Sequence, residues 1–263
     1  MRVALSIAGS DPTGGAGLQA DLQVFRSLGV HGTGVVTALT VQDTARVHQV
    51  LPVFPNVVLD QLRVLLRDLP PDAVKLGALA SDDVARSVQL GLDELDPARN
   101  TPLVIDPVLA ASDGTPLLER RALGTLQDLL ARATLVTPNL PEAAALTDCD
   151  VSTREGVEAA AATLVNHLGA SAALVKGGHR EGAPDDLLAL REGATASFHW
   201  LPGERLEGEA LHGTGCALAA AITAELAREM ELQAAVESGR RYVREAMLAA
   251  RSRGGRARLL GMP

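Results

Sequence analysis

The chain has 263 residues, 47% of them hydrophobic, and a net charge of -8. This is enough apolar sequence to bury a core, and it excludes a disordered chain. The acidic balance argues against broad nucleic-acid binding, so an anionic ligand would need a local positive field from helix N-termini, a few cations or a metal ion.

The two cysteines, Cys149 and Cys216, lie far apart with no CxxC or Cys/His spacing. A disulfide framework and a structural zinc are therefore excluded, and a reducing cytoplasm is expected. The apolar run at the N-terminus is too short for a signal peptide, and no run reaches the ~18 residues of a membrane span. The expectation is a soluble cytoplasmic protein with no membrane partner.

In chain order, short runs rich in Val, Ile and Leu alternate with amphipathic stretches. Strands are predicted over 3–8, 34–41, 72–79, 102–108, 133–139 and 172–178. Helices are predicted over 17–29, 56–69, 81–95, 120–133 and 153–169. This alternation implies βαβ units and a mostly parallel sheet covered on both faces. From about residue 185 the pattern becomes a hairpin, 185–193 and 195–203, turning at Glu192-Gly193. Helices over 213–228 and 232–251 close the chain. No Gly-, Ser- or Pro-rich linker divides it, so residues 1–263 are read as one domain. The arginine-rich 251–263 reads as a flexible basic tail.

Ligands of open α/β sheets bind beyond the carboxyl ends of the strands. Four polar or glycine-rich turns fall there. "GSDPTGGAG" (9–17) brings unhindered backbone N–H groups to a helix start, as a ligand cradle or as an ordinary βα turn. Asp21 lies about one turn into that helix, where a salt bridge would suffice. In "TPNLPE", Asn139 suits a helix cap and Glu142 completes a capping-box-like pattern. The other reading makes the same two residues Mg²⁺ ligands acting through water. The chain has only two lysines among its 24 basic residues, Lys75 and Lys176. Lys176, beside Gly177 and Gly178, could meet a phosphate, and Lys75 could be a buried partner.

The most pointed motif is "HGTGCALAAAI". Gly213, Thr214 and Gly215 offer N–H groups at a helix start, which is an anion hole. The same helix start would lower the pKa of Cys216 and make it a base or thiolate, unless it merely packs as a small hydrophobe.

Taken together, "AGSDPTGGAGLQADLQVF", "VTALTVQDT", "VIDPV", "TPNLPEAAAL", "VKGGH" and "HGTGCALAAAI" resemble the hydroxymethylpyrimidine/phosphomethylpyrimidine kinases of thiamine biosynthesis, in the ribokinase-like superfamily. The similarity runs in one order from residue 2 to 228. It implies a three-layer αβα fold, ATP and Mg²⁺, and phosphorylation of 4-amino-5-hydroxymethyl-2-methylpyrimidine and then of its monophosphate. It also implies a homodimer. By position, Gly9, Asp21 and Gln42 correspond to pyrimidine contacts, and Val108 and Ala78 to the pocket wall. Asp106, Asn139 and Glu142 fall in the Mg²⁺ and phosphate region, with Asp106 and Glu142 as the metal residues. Lys176, with Asn139 and Gly178, lies on the ATP side. Gly213, Thr214 and Gly215 form the anion hole, and Cys216 stands where most superfamily members have an aspartate base.

Four departures are visible. Ala78 replaces a common methionine, and Ser112 replaces a lysine after "DPV". The lead-in "RLEGEALHGTGC" and the C-terminus are also unusual. They leave a pyridoxal or pyridoxine kinase as an alternative reading. A ligand sensor on a relic kinase fold is a second alternative, and it would require a broken anion hole or metal region.

Overall fold

The alternating segments build a nine-stranded sheet between two layers of helices. The computed structural model describes residues 1–178, 183–206, 211–250 and 258–261. The elements are β1 (Val3–Ser10), α1 (Gly17–Ser27), β2 (His31–Gln42), β3 (Val47–Pro52), α2 (Pro55–Asp68), β4 (Ala73–Leu76), α3 (Asp82–Leu92) and β5 (Leu103–Ile105). There follow α4 (Leu123–Leu130), β6 (Leu135–Val136), α5 (Leu140–Thr147), α6 (Arg154–Ala162), β7 (Ala172–Val175), β8 (Asp186–Glu192) and β9 (Thr195–Leu201). Last come β10 (Leu211–His212), α7 (Thr214–Ala227), α8 (Leu232–Leu248) and β11 (Arg258–Leu259).

The sheet order is β3-β2-β1-β4-β5-β6-β7-β8-β9. Pairing is parallel from β2 through β7 and antiparallel at both margins, where β3, β8 and β9 add on. Along each central strand the side chains alternate between the two faces, as a period of two requires. Leu5, Val74, Ile105, Val136 and Val175 join the core under α2–α6. Ala4, Ala73, Val104, Leu135 and Leu174 join the core under α1, α7 and α8. The result is the expected three-layer αβα fold. Among the described residues no helix is long and apolar enough to cross a membrane.

The alanine run of α7 is explained by where it lies. Ala217 to Ala227 are buried all round, between the sheet and α1 and α8. Small side chains let the backbones approach. A Cβ added to Gly239 of α8 would sit 2.7 Å from Ile222 Cγ1.

The central strands are shorter than predicted, and the difference is informative. Residues 72–79, 102–108, 133–139 and 172–178 leave the sheet at Leu76, Ile105, Val136 and Val175. The residues released at the carboxyl ends include Gly77, Asp106, Asn139, Lys176 and Gly177, and they form the turns there. Strand β3 was not predicted. Only Val47, Val50 and Leu51 interrupt its polar and proline positions, and it is an exposed edge strand paired with β2 alone. The basic tail also needs correction. Residues 251–257 and 262–263 lie outside the described residues, but β11 pairs in parallel with β10, and Leu260 packs against the α7–α8 core. That part of the terminus is held by the apolar side chains that follow its arginines.

Candidate active site

The turn after β1 is organised by one carboxylate. Asp11 accepts from the N–H of Thr13 (2.8 Å) and of Ala16 (2.8 Å) and from Thr13 Oγ1 (2.9 Å). Its own N–H donates to Gln19 Oε1 at 2.9 Å. Gly17 then has φ +58°, and an added Cβ there would overlap the carbonyl oxygen of Gly9. A side chain cannot be placed at that approach. The sequence reading missed Asp11. The Asx-turn signal of an aspartate followed by Pro, Thr and Gly was available to find it.

Gly213 caps α7 with φ +82°, and an added Cβ would overlap the carbonyl oxygen of Gly15. The two glycine-rich turns thus touch. Thr214, Gly215 and Cys216 form the first turn of α7, where unpaired N–H groups and the helix dipole favour an anion. Opposite them, Lys176 Nζ donates to Asp106 Oδ1 at 2.9 Å, and Thr137 Oγ1 donates to the same oxygen at 3.1 Å. A Cβ on Gly215 would lie 3.1 Å from Lys176 Nζ and 3.8 Å from Asp106 Oδ2. The anion hole, the lysine and the carboxylate therefore share one small space.

Asn139 and Glu142 form the helix cap and also stand at the cavity. The capping box is complete, with the Glu142 N–H donating to Asn139 Oδ1 (2.8 Å) and the Asn139 N–H to Glu142 Oε2 (2.7 Å). Both residues also line the cavity. Burial pushes the Glu142 carboxyl up to about 7 against the pull of Lys176, with Asp106 adding to the rise. Burial also opposes charge on Asp106, but Lys176 and Lys75 outweigh it and hold its pKa below the ordinary range.

A prediction follows from Glu142. Its folded pKa lies above its unfolded one, so the native state holds the extra proton between pH ~4.5 and ~7. Stability should fall as pH rises through that window, by up to about 3 kcal/mol from this group alone. In Glu142→Gln, urea unfolding of the ligand-free protein at pH 5 and pH 7.5 should show a smaller pH-dependent loss than wild type. An equal loss in both proteins would contradict the assignment.

Under the cavity floor lies an ion pair that the sequence reading left open. Lys75 Nζ donates to both oxygens of Asp21 at 2.8 Å, and Ser6 Oγ donates to Asp21 Oδ2 at 2.6 Å. Both side chains of the pair are 0% exposed. Burial disfavours the ammonium of Lys75, yet Asp21 and the neighbouring acidic groups raise its pKa, and it stays charged. Asp21 is accordingly corrected. It does not line the cavity; its oxygens are taken by Lys75 and Ser6, and Lys75 is the member of the pair that reaches the wall.

Cys216 lines the cavity as expected, but its pKa moves the other way from the expectation. Burial raises it, Lys75 lowers it, and Asp106 and Asp21 raise it again. The helix start does not prevail because burial disfavours the thiolate, and Asp106 and Asp21 nearby oppose its charge as well. At neutral pH Cys216 is a thiol.

The cavity holds about 840 Å³. It brings together Gly9, Gln42, Ala78, Val108, Asp106, Asn139, Glu142, Lys176 and Gly178 with Gly213, Thr214, Gly215 and Cys216 of the α7 start. Of the proposed site residues only Asp21 stays outside. None of Phe25, Phe54, Phe198, Trp200 and Tyr242 lines the cavity, so a ring beside Ala78 and Val108 meets small aliphatic walls rather than an aromatic stack. Thr37 Oγ1 donates to the Ala78 carbonyl at 2.5 Å and fixes that wall. Ser112 lines the cavity too, on the segment that follows β5. Residues 207–210 of the altered lead-in, and His179, lie outside the described residues.

A three-layer αβα fold with an anion hole, a lysine and two carboxylates at the carboxyl edge defines a ribokinase-like small-molecule kinase. The family model described as phosphomethylpyrimidine kinase matches residues 11–258, and the chain belongs to that family. It is 41% identical over 249 residues to the hydroxymethylpyrimidine/phosphomethylpyrimidine kinase of Rhizobium meliloti (strain 1021), covering 94% of this chain and 91% of that one. Among solved structures it resembles the phosphomethylpyrimidine kinase of Clostridium difficile 630, with TM-score 0.81, 32% identity and coverage of 94% and 100%. It also resembles the pyridoxal kinase of Staphylococcus aureus in complex with AMP-PCP and pyridoxal, with TM-score 0.86, 30% identity and coverage of 99% and 93%.

Proposed function

We propose that this chain transfers the γ-phosphoryl group of ATP to the hydroxymethyl oxygen of 4-amino-5-hydroxymethyl-2-methylpyrimidine, and then phosphorylates the monophosphate. The observation that supports this reading is the first turn of α7 facing Lys176 and Asp106 in one cavity that Gly9, Gln42, Ala78 and Val108 also line.

Phosphoryl transfer needs in-line positioning and neutralised charge more than covalent help from the protein. Gly9, Gln42, Ala78 and Val108 enclose the ring and aim its alcohol at the first turn of α7. The N–H groups of 213–215 and Lys176 meet the charge that spreads over the transferring group, in a site where burial strengthens both. The alcohol oxygen forms the new O–P bond as the bond to the β-phosphate oxygen breaks, leaving ADP. Cys216, as a thiol, orients the alcohol by a hydrogen bond. The alcohol's proton leaves late and is carried by the transferred phosphoryl oxygens.

The donor set fits Mg²⁺, which takes one or two carboxylates and completes its shell with water and phosphate oxygens. Asp106 and Glu142 are the two carboxylates, and the described residues contain no cluster of three or more acidic, His or Cys ligands that would make a dedicated protein cage. When bound, the ion would neutralise phosphate charge and help align the chain of phosphates.

Cys216 separates two forms of this mechanism. If it acts by orienting the alcohol, Cys216→Ser should keep kcat within about fivefold of wild type and Cys216→Ala should lose roughly 10- to 100-fold. Steady-state kinetics with saturating ATP reads the difference. Equal loss in both variants would restore a thiolate base, and no loss in either would remove Cys216 from the mechanism.

A second reading, phosphorylation of pyridoxal, is favoured by the room that Ala78 leaves in the wall and by the likeness to the pyridoxal kinase. Product analysis with the pyrimidine alcohol, its monophosphate and pyridoxal, each supplied separately with ATP, decides between them. Phosphorylated pyridoxal as the sole product would overturn the first reading. The intact anion hole and acidic pair favour an enzyme over a sensor.

The family resemblance supports a cytoplasmic homodimer. Leu39, Val41 and Leu51, 43–52% exposed on β2 and β3, are the apolar surface it would cover. Sedimentation equilibrium showing only monomer at micromolar concentration would refute it.

A further inference from the structure

Lys176 is aimed at the first turn of α7 by its side chain, and the turn that carries it is held by two other residues of the cavity wall, Asp186 and Arg240. Its own N–H donates to the Pro138 carbonyl at 2.8 Å. The next N–H, that of Gly177, donates to Asp186 Oδ1 at 2.9 Å. The second oxygen of Asp186 accepts from Arg240 Nε of α8 at 2.8 Å. The remaining fork of Arg240 donates to the carbonyls of Leu201 (3.1 Å) and Pro202 (2.9 Å). One carboxylate and one guanidinium thus join three chain segments at the cavity wall: the Lys176 turn, the end of β9, and α8. The junction is tight. A Cβ on Gly177 would overlap the Asp185 carbonyl, and one on Gly203 would overlap that of Pro184. The Asp186 and Arg240 side chains are only 14% and 22% exposed, so their bonds are shielded and charge-assisted.

We infer that Asp186 and Arg240 are positioning residues for the nucleotide: through the Gly177 N–H they fix the backbone from which Lys176 reaches the phosphates. The inference rests on the kinase reading for the identity of the ligand, but not for the geometry. The forked shape of the arginine matters, because Nε meets the carboxylate while Nη2 meets the two carbonyls. A lysine at 240 has no planar fork and cannot hold a carboxylate and two carbonyls together. Removing Asp186 frees the Gly177 N–H, and a displacement of Lys176 by ~1 Å is enough to cost one to two orders of magnitude in a positioned reaction.

The test uses direct binding, so that it does not depend on which alcohol is phosphorylated. Calorimetry with AMP-PCP should give a Kd about tenfold weaker for Asp186→Ala and for Arg240→Met than for wild type. The double variant should be no weaker than the worse single one, because the two residues act as one unit. Binding of the pyrimidine alcohol should stay within about twofold. The chain's two lysines allow a second readout. With Cε-labelled lysine, the Lys176 resonance should move in Asp186→Ala while the Lys75 resonance stays in place. The isosteric Asp186→Asn, which keeps an acceptor for Gly177, should fall between wild type and Asp186→Ala.

An unchanged Kd for AMP-PCP in both single variants, or an unmoved Lys176 resonance, would overturn the inference. Additive losses in the double variant would also overturn it, since they would make Arg240 a direct nucleotide contact. Equal weakening of both ligands would reduce the pair to a general structural role. A wild-type protein that binds AMP-PCP but turns over no alcohol would defeat the kinase reading, and the ratio of Kd values would still judge the clamp.

Discussion

Gly213→Ala should lose at least about 100-fold in kcat while the protein still folds. Two effects add at this position. The backbone has φ +82°, where a Cβ costs on the order of 1 kcal/mol. The Cβ would also overlap the Gly15 carbonyl oxygen, so one of the two glycine-rich turns must move. Either movement turns N–H donors away from the phosphoryl group. Gly193→Ala is the control. It has φ +63° in the β8–β9 turn, but nothing lies within 4 Å of the added Cβ. It should lower stability by about the same 1 kcal/mol and leave kcat at the wild-type level. Chemical denaturation beside steady-state kinetics separates the two contributions. If Gly213→Ala kept wild-type kcat, the anion hole would not be at this helix start.

Lys176→Met should have the second large effect, and it should appear in both activity and stability. The loss of a positive charge facing the transferring group should cost about 10³-fold in kcat/KM for ATP. The loss of the partner of Asp106 should destabilise the fold by about 3–5 kcal/mol, because a buried carboxylate is left unpaired. The sign with pH is fixed by the shifts. In wild type the depressed pKa of Asp106 contributes stability that is present above its unfolded value and is lost as pH falls. Without Lys176, burial pushes Asp106 up, and Glu142 rises further because Lys176 was pulling it down. The deficit of the variant should therefore be largest near pH 8 and shrink toward pH 5, where both carboxyls take up protons. Urea unfolding across that range checks it. A deficit that grew toward acid would contradict the assigned pairing.

Much of this site was legible because strand ends release the residues that do chemistry. Asp106, Asn139 and Lys176 stand immediately after apolar runs, and the parallel order of the sheet gathers them. Gly213–Gly215 was legible as a place where backbone N–H groups are unhindered at a helix start. What was hidden depends on contacts across long sequence separations. Lys75 and Asp21 are 54 residues apart, and nothing local says that they meet under the floor. The pattern therefore places Asp21 at the ligand, whereas the fold buries it against Lys75 and Ser6. Asp186 and Arg240 are also 54 residues apart and read as ordinary strand and helix charges until the fold joins them. The shift of Cys216 was misread for a related reason. The helix start is local and visible, whereas the burial of the thiol, and the acidic groups near it, exist only in the folded chain. Strand β3 was missed because an exposed edge strand needs few apolar residues.

On the proposed mechanism the first turn of α7 holds the transferring phosphoryl group between the ring of the alcohol and Lys176. A crystal structure of the protein with AMP-PCP, Mg²⁺ and the pyrimidine alcohol tests it most directly. The γ-phosphoryl oxygens should lie against the N–H groups of Gly213–Gly215 and the Lys176 ammonium. The alcohol oxygen should lie in line with the phosphorus beside Cys216 Sγ. Phosphates seated away from α7, with the ring outside the chamber of Gly9, Gln42, Ala78 and Val108, would contradict it.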